Sequence, residues 1–164
     1  MNQSLVAVID GTKARFFTLQ SASLPEYQSG PNLIECNAIS DRAKELQGKE
    51  LWANIKTGRN RGKGNNSHSY DDRRTNHLNQ FELRFAKEIV NQILQLTQRY
   101  RSPEVVLVAE PQILGMVREV LNPLITKNLK IKELTKDLCK LKSQAIHEYL
   151  AKKDILPARK VVLQ

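Results

Sequence analysis

The segment from residue 56 to residue 76 carries the side chains best suited to contact phosphate groups. Three glycines, Gly58, Gly62 and Gly64, alternate with basic residues in this segment. An arginine guanidinium binds phosphate through two parallel hydrogen bonds, and a lysine supplies a point charge. Glycines also let backbone amides approach a nucleic-acid strand closely. The candidate RNA-binding residues are Lys56, Arg59, Arg61, Lys63, Arg73 and Arg74.

The charge of the whole chain indicates the same class of partner. Its 164 residues have a formal net charge of +9. Such a surplus favours polyanions: RNA, DNA, ribosomes or acidic membrane surfaces. Charge alone reports non-specific attraction, so a basic but ordinary enzyme with a solvated, ligand-free loop is the alternative.

Motifs for cofactor or metal chemistry are absent from the sequence. The chain lacks the P-loop pattern, the Rossmann fingerprint and the Gly-x-Ser-x-Gly elbow. Cys36 and Cys139 have no CxxC spacing. His68, Asp71 and Asp72 lie close in sequence, but a metal site needs further ligands and a rigid frame. We therefore predict no cofactor and no metal, and assign no catalytic residue.

The elements that would hold the basic segment begin with two apolar runs around Asp10-Gly11. Leu5–Ile9 is almost entirely apolar, as in a strand covered on both faces. Asp-Gly between two such runs indicates a β-hairpin, with the return strand over residues 14–19. Residues 33–40 favour a third, half-exposed strand.

A long helix with an apolar stripe is predicted further along the chain. Apolar residues recur every three or four positions from Leu78 to Tyr100. Asn79 and Glu82 have capping-box spacing, so we expect the helix to begin within a few residues of them. Before it, residues 41–54 are charged with isolated apolar positions and residues 56–76 hold almost no aliphatic side chain, which predicts a long basic loop over about 41–76.

Strands and helices alternate in the rest of the chain. Residues 105–109 favour a buried strand, residues 129–134 a half-exposed or edge strand, and helical spacing recurs at 113–121 and 141–150. This order predicts an α/β fold. We expect one domain over residues 1–164, a sandwich in which helices flank a mixed β-sheet.

A family resemblance rests on short motifs spread over nearly the whole chain. They are Val8-Ile9-Asp10-Gly11 with Ala14-Arg15-Phe16-Phe17, then Val106-Leu107-Val108-Ala109 with Pro111 and Leu114-Gly115, and then Lys136-Asp137-Leu138. In order and spacing they resemble bacterial proteins required for attachment to host cells.

That family is in turn similar to the middle, catalytic domain of archaeal and eukaryotic peptide-chain release factors. The likeness lies in Asp10-Gly11 followed by Phe17-Thr18-Leu19-Gln20, and in Leu83-Arg84-Phe85-Ala86 on the long helix. It implies a release-factor middle-domain-like sheet with helices on its faces, and a functional loop between the third strand and the long helix.

One departure from release factors concerns catalysis. They carry Gly-Gly-Gln just before the long helix, where this chain has Leu78-Asn79-Gln80. Leu and Asn do not reproduce the backbone freedom of the two glycines. A place on the helix surface therefore explains Gln80 better than a catalytic role does.

Two functions from different classes follow. The first is an RNA- or ribosome-associated module with a release-factor-like fold and without peptidyl-tRNA hydrolase activity. The alternative is a hydrolase that acts on peptidyl-tRNA or RNA through residues 56–80. The sequence has no signal-peptide pattern and no apolar run near the roughly 18 residues that span a bilayer. We therefore expect a cytoplasmic protein with no membrane partner.

Overall fold

The computed structural model describes residues 4–41 and 67–163, with the backbone alone for residues 67–82. The elements follow the predicted order of three strands, a long helix, and alternating strands and helices. They are β1 (Leu5–Ile9), β2 (Lys13–Gln20), β3 (Asn32–Ser40), α1 (Ser67–Tyr100), β4 (Glu104–Ala109), α2 (Pro111–Leu121), β5 (Lys130–Thr135) and α3 (Ser143–Lys152).

The strands form one mixed sheet of five strands in the order β3-β2-β1-β4-β5. β2 is antiparallel to both β1 and β3, whereas β1, β4 and β5 run parallel. The runs predicted as strands at Leu5–Ile9, 14–19 and 105–109 are therefore neighbours in a single sheet. The strand predicted at 129–134 is confirmed as an edge strand, β5.

Side-chain capping explains the tight turn between β1 and β2. The N–H of Asp10 donates to the carbonyl oxygen of Lys13 at 2.8 Å. Asp10 Oδ1 accepts the N–H groups of Thr12 at 2.8 Å and Lys13 at 2.7 Å. An aspartate that bonds the backbone two residues ahead forms an Asx turn. The hairpin predicted from Asp10-Gly11 is confirmed, with Ile9 paired to Ala14 across it.

Alternate residues of β1 face two separate cores. Leu5 and Ile9 pack with apolar residues of α1 and α2 on one face of the sheet. Val6 and Val8 pack with apolar residues of α3 on the other. Every residue of β1 is fully buried. The predicted α/β sandwich, a mixed sheet with helices on both faces, is confirmed.

The start of α1 differs from the prediction. The helix runs for 34 residues from Ser67 to Tyr100, whereas the capping-box spacing predicted a start near residue 79. Residues 67–76 are therefore helical and not part of a loop. Residues 42–66 of the predicted loop lie outside the described residues. An apolar stripe marks only the turns that pack on a core, so the polar first turns of a helix give no periodic signal.

Because β1, β4 and β5 are parallel, their C-terminal ends lie along one side of the sheet and their N-terminal ends along the opposite side. Their C-terminal ends are followed by Asp10, Glu110 and Lys136, along what we call the carboxyl edge. β3 also ends there, since Ser40 pairs with Lys13 at the start of β2. The opposite side, where β4 and β5 begin, is the amino edge.

Candidate nucleic-acid interface

The structure describes only part of the predicted basic site. Lys56, Arg59, Arg61 and Lys63 lie outside the described residues. Arg73 and Arg74 lie in α1 and not, as predicted, in a loop, because the helix already begins at Ser67. The candidate interface therefore consists of described residues near Asp41, where the segment 42–66 begins.

The segment 42–66 begins at the carboxyl edge. The N–H of Asp41 donates to the carbonyl oxygen of Thr12 at 2.8 Å, which ties the end of β3 to the turn between β1 and β2. Asp41 is buried, with 7% of its surface exposed. The chain after Asp41 therefore starts from a fixed point beside that turn.

Three exposed lysines belong to segments that meet at the same edge. Lys13 begins β2, while Lys140 and Lys142 lie in the connection from β5 to α3. That connection crosses the end of β1, because the Sγ atom of Cys139 lies 3.7 Å from the carbonyl oxygen of Val8 and 3.9 Å from that of Lys13. We call Lys13, Lys140 and Lys142 the carboxyl-edge lysines.

Arg15 holds this connection against the sheet. Its Nη1 atom donates to the carbonyl oxygens of Cys139 at 2.8 Å and Leu141 at 2.6 Å. Its Nη2 atom donates to Glu35 of β3 at 2.7 Å. The hydrogen bonds that Arg15 donates to Glu35 raise the pKa of Arg15, burial partly opposes this, and the charge of the carboxylate adds to it. The backbone on both sides of Lys140 is thus fixed to β2.

The start of α3 adds to the positive potential of this edge. Lys142 is the N-cap residue, no side chain caps the helix there, and the first turn of α3 contains no acidic residue. The free N–H groups of a helix N-terminus attract anions. Glu110, at the start of α2, is an exposed acid on the same edge. Two further acids lie on this edge: Asp10 accepts the N–H groups of Thr12 and Lys13, and Asp137 accepts that of Cys139.

The thiols of Cys36 and Cys139 and the imidazole of His147 are partly or fully buried. Burial, then the charge of Asp10 and its hydrogen bond, raises the pKa of Cys139 to about 12, so its thiol is a poor nucleophile. Burial likewise raises the pKa of Cys36. His147 is 2% exposed, and its Nε2 lies 2.8 Å from the carbonyl oxygen of Pro157. A carbonyl only accepts, so Nε2 carries the proton.

Metal ligands do not converge within the described part of the chain. Across it, no three histidine, cysteine or acidic side chains are placed to hold a metal ion. The predicted sequence neighbours His68, Asp71 and Asp72 lie in α1, where the structure describes only the backbone.

Sequence reasoning missed the carboxyl-edge lysines. Residues 136–142 read Lys-Asp-Leu-Cys-Lys-Leu-Lys and directly follow the predicted edge strand. Ligands of open α/β sheets bind beyond the C-terminal ends of parallel strands, so a basic run in that position was an available signal. What the sequence could not provide is the crossing of this run over the end of β1.

The structure defines an α/β protein with exposed lysines, among several acidic residues, beyond the C-terminal ends of its parallel strands. The family model described as protein required for attachment to host cells matches residues 5–150, and the chain belongs to this family. No curated protein matches the chain. Each helix among the described residues is too short or too polar to cross a membrane.

Proposed function

We propose that this protein is an RNA- or ribosome-associated module that binds phosphate groups through its carboxyl edge. The hydrogen bond from Asp41 to Thr12 carries the proposal, because it fixes the end of β3, which precedes Lys56, Arg59, Arg61 and Lys63 in the sequence, beside the carboxyl-edge lysines. Two sets of cations, far apart in sequence, would then face the same strand of RNA. The net charge of +9 supports a polyanionic partner.

The proposal includes a relationship to release-factor middle domains, acting in the cytoplasm, without their hydrolase activity. A mixed sheet covered by helices and a basic segment between β3 and α1 are compatible with that relationship. In release factors Gly-Gly-Gln precedes the long helix. In this chain Leu78-Asn79-Gln80 lies inside α1, more than two turns after its start at Ser67. A helical backbone at Gln80 is not the glycine-loop geometry of those enzymes, so we favour binding over peptidyl-tRNA hydrolysis.

Salt titrations of RNA binding test the proposal. Binding that neutralises phosphates weakens with salt, with a slope of about 0.7 per contact on single-stranded RNA in a plot of log affinity against log salt. The edge variant replaces Lys13, Lys140 and Lys142 by glutamine. The segment variant replaces Arg59, Arg61 and Lys63 by alanine. Each should flatten the slope by about two on a model RNA and on ribosomes.

A charge-matched control separates a site from general attraction. Lys152, Lys153 and Lys160 are exposed and lie away from the carboxyl edge, at the end of α3 and beside Gly30 before β3, so their replacement by glutamine removes the same charge without touching the proposed interface. This control should keep the wild-type slope. If all three variants flatten the slope equally, the protein attracts RNA by net charge alone and the proposed interface is wrong.

A peptidyl-tRNA hydrolysis assay tests the absence of activity. We expect no hydrolysis above the uncatalysed rate from wild type, and unchanged RNA binding by Gln80→Ala. Hydrolysis by wild type that Gln80→Ala abolishes would make the protein an enzyme and overturn the preference stated here.

A further inference from the structure

A cleft opens at the amino edge of the sheet, on the face covered by α1. Its volume is about 460 Å³, within the range of small-ligand sites. The last turns of α1, the residues before β4 and the connection from α2 to β5 form its walls. A six-residue strand such as β5 spans about 20 Å, so this cleft lies a strand's length from the carboxyl edge.

The walls of this amino-edge cleft offer both an apolar surface and hydrogen-bonding groups. Leu94, Pro103 and Leu124 line it, and Leu124 is 53% exposed. The amide side chains of Gln98 and Asn128 line it as well, on two different chain segments. Amides donate and accept at once, as do the edges of nucleobases. A planar heterocycle could thus lie on the apolar wall with its edge toward the amides.

Ser102 marks the inner end of the cleft. It lines the cleft, is 7% exposed, and its hydroxyl has no hydrogen-bond partner among the described residues. The N–H of Ser102 donates to the carbonyl oxygen of Thr97 at 2.9 Å, and Arg101 between them has a φ of 52°. This is the Schellman ending of a helix, in which the position of Arg101 favours glycine. A cation therefore occupies a position where the backbone disfavours it.

The chain segments that form most of the cleft wall carry positive charges and no negative charge. Residues 97–103 and 122–132, which include most of the wall, contain no acidic residue. Arg101, Lys127 and Lys130 are exposed and adjoin the lining residues Ser102, Asn128 and Leu129.

The other charged groups nearby are engaged elsewhere. Arg99 lies over the ring of Tyr100, 5.8 Å from its centroid. Glu104 accepts hydrogen bonds from Lys132 at 2.9 Å and from Ser4 at 3.0 Å. Besides Arg99, the exposed cations next to the lining residues are Arg101, Lys127 and Lys130, and Arg101 and Lys127 lie on two different chain segments of the wall.

We propose that the amino-edge cleft binds one nucleotide unit. The base lies on the apolar wall and is read by Gln98 and Asn128, and the phosphate contacts Arg101 and Lys127. The nucleotide is either free or one unit of a single-stranded RNA. The site uses none of the carboxyl-edge residues, so this proposal is tested independently of the proposed function.

Binding of AMP, adenosine, inorganic phosphate and a short single-stranded RNA to the full chain tests this site, by calorimetry and by amide chemical shifts. Saturable binding of AMP with shifts at Gln98 and Asn128 supports a free nucleotide. Saturable binding of the RNA alone, with the same shifts, supports a unit within a strand. AMP should bind more tightly than either adenosine or phosphate, since each supplies only one of the two sets of contacts.

Arg101→Gly is the diagnostic variant, because glycine suits the backbone there and only the cation is lost. We expect an affinity loss of about tenfold, which is the scale of one charge-assisted hydrogen bond. Asp154→Gly is the matched control. Asp154 ends α3 with a φ of 59°, away from the cleft, so this variant should bind as wild type does. Lys87→Gln controls for the lost charge.

Three results would overturn the proposal. One is the absence of saturable binding by AMP and by RNA up to about 10 mM, weaker than any useful site. Another is phosphate binding as tightly as AMP, because the base would then contribute nothing. The third is equal binding by Arg101→Gly and wild type. The Lys13, Lys140 and Lys142 variant should keep AMP binding, which separates this site from the carboxyl edge.

Discussion

Nη1 of Arg15 donates a hydrogen bond of 2.6 Å to the carbonyl oxygen of Leu141, 126 residues later in the chain. The same nitrogen donates to Cys139 at 2.8 Å. One side chain of β2 thus fixes the connection that carries Lys140 and Lys142. The position of two cations of the proposed interface therefore depends on one guanidinium, which also contributes to the stability of the fold.

Arg15→Lys should lower stability although it keeps the charge. Lysine lacks the planar fork that reaches two carbonyl oxygens and Glu35 together. Hydrogen bonds from charged groups contribute about 1.5–3 kcal/mol, and the side chain of Arg15 is 15% exposed, so we expect a loss near the lower end of that range. Urea unfolding measures it. Glu35→Gln should cost less, because the two carbonyl contacts remain. An Arg15→Lys protein as stable as wild type would show that the connection is held by other contacts.

Cys139 should be inert to thiol reagents in the folded protein. The chain has two cysteines, so Cys36→Ser leaves Cys139 as the single thiol. Burial raises its pKa from 9.0 to about 12, so almost no thiolate forms at pH 8. We expect labelling only at the rate of unfolding, and fast labelling in denaturant. Fast labelling under native conditions would contradict this burial.

The same pKa shift predicts a loss of stability at alkaline pH. Above about pH 9 the unfolded chain gives up the Cys139 proton while the folded protein keeps it. The unfolded state then binds fewer protons, so stability falls as pH rises toward 12. Cys139→Ala should show a shallower fall over this range, whatever its stability at neutral pH. Denaturant midpoints measured between pH 8 and pH 10.5 provide the comparison. Parallel curves for the two proteins would rule the thiol out as a cause.

The sequence predicted best those elements whose side chains are buried. Leu5–Ile9 and residues 105–109 were recognisable because central strands buried on both faces are continuous apolar runs. The first turns of α1 were not, because residues 67–76 contain almost no apolar residue and so show no helical period in the sequence. For the candidate site, the sequence indicated cations but not their grouping. Only the chain path brings Lys13 and Lys140 to one edge.

Glu133 should titrate at a lower pH than an ordinary glutamate. Two hydrogen bonds of 2.6 Å from Arg118 lower its pKa, while partial burial opposes them. A lowered folded-state pKa stabilises the protein above the pKa of the unfolded chain, and this contribution is lost as pH falls through the folded value. NMR titration of the Glu133 carboxyl should show the low value, and Arg118→Gln should restore the ordinary one. Equal titration in the two proteins would mean that the pair does not persist in solution.

Glycine substitutions at the ends of α1 and α3 should have unequal effects on stability. Arg101 and Asp154 both follow a helix with positive φ, at 52° and 59°. A left-handed L-residue costs about 1–2 kcal/mol, and the extra unfolded-state freedom of glycine offsets about 0.5–1 kcal/mol of that gain. Either substitution alone would therefore stabilise the backbone by roughly 0.5–1 kcal/mol.

The charges separate the two cases. A helix C-terminus attracts cations and repels anions, by about 0.3–1 kcal/mol. Arg101→Gly loses a favourable charge and should be nearly neutral, whereas Asp154→Gly loses an unfavourable one and should gain about 1–2 kcal/mol. Thermal or urea unfolding at low and high salt measures both, and the gap between them should narrow as salt screens the helix ends. If Arg101→Gly destabilises the protein by more than about 1 kcal/mol, Arg101 makes contacts within the fold. Its loss would then disturb the amino-edge cleft by distortion, and binding tests should turn to Lys127→Gln.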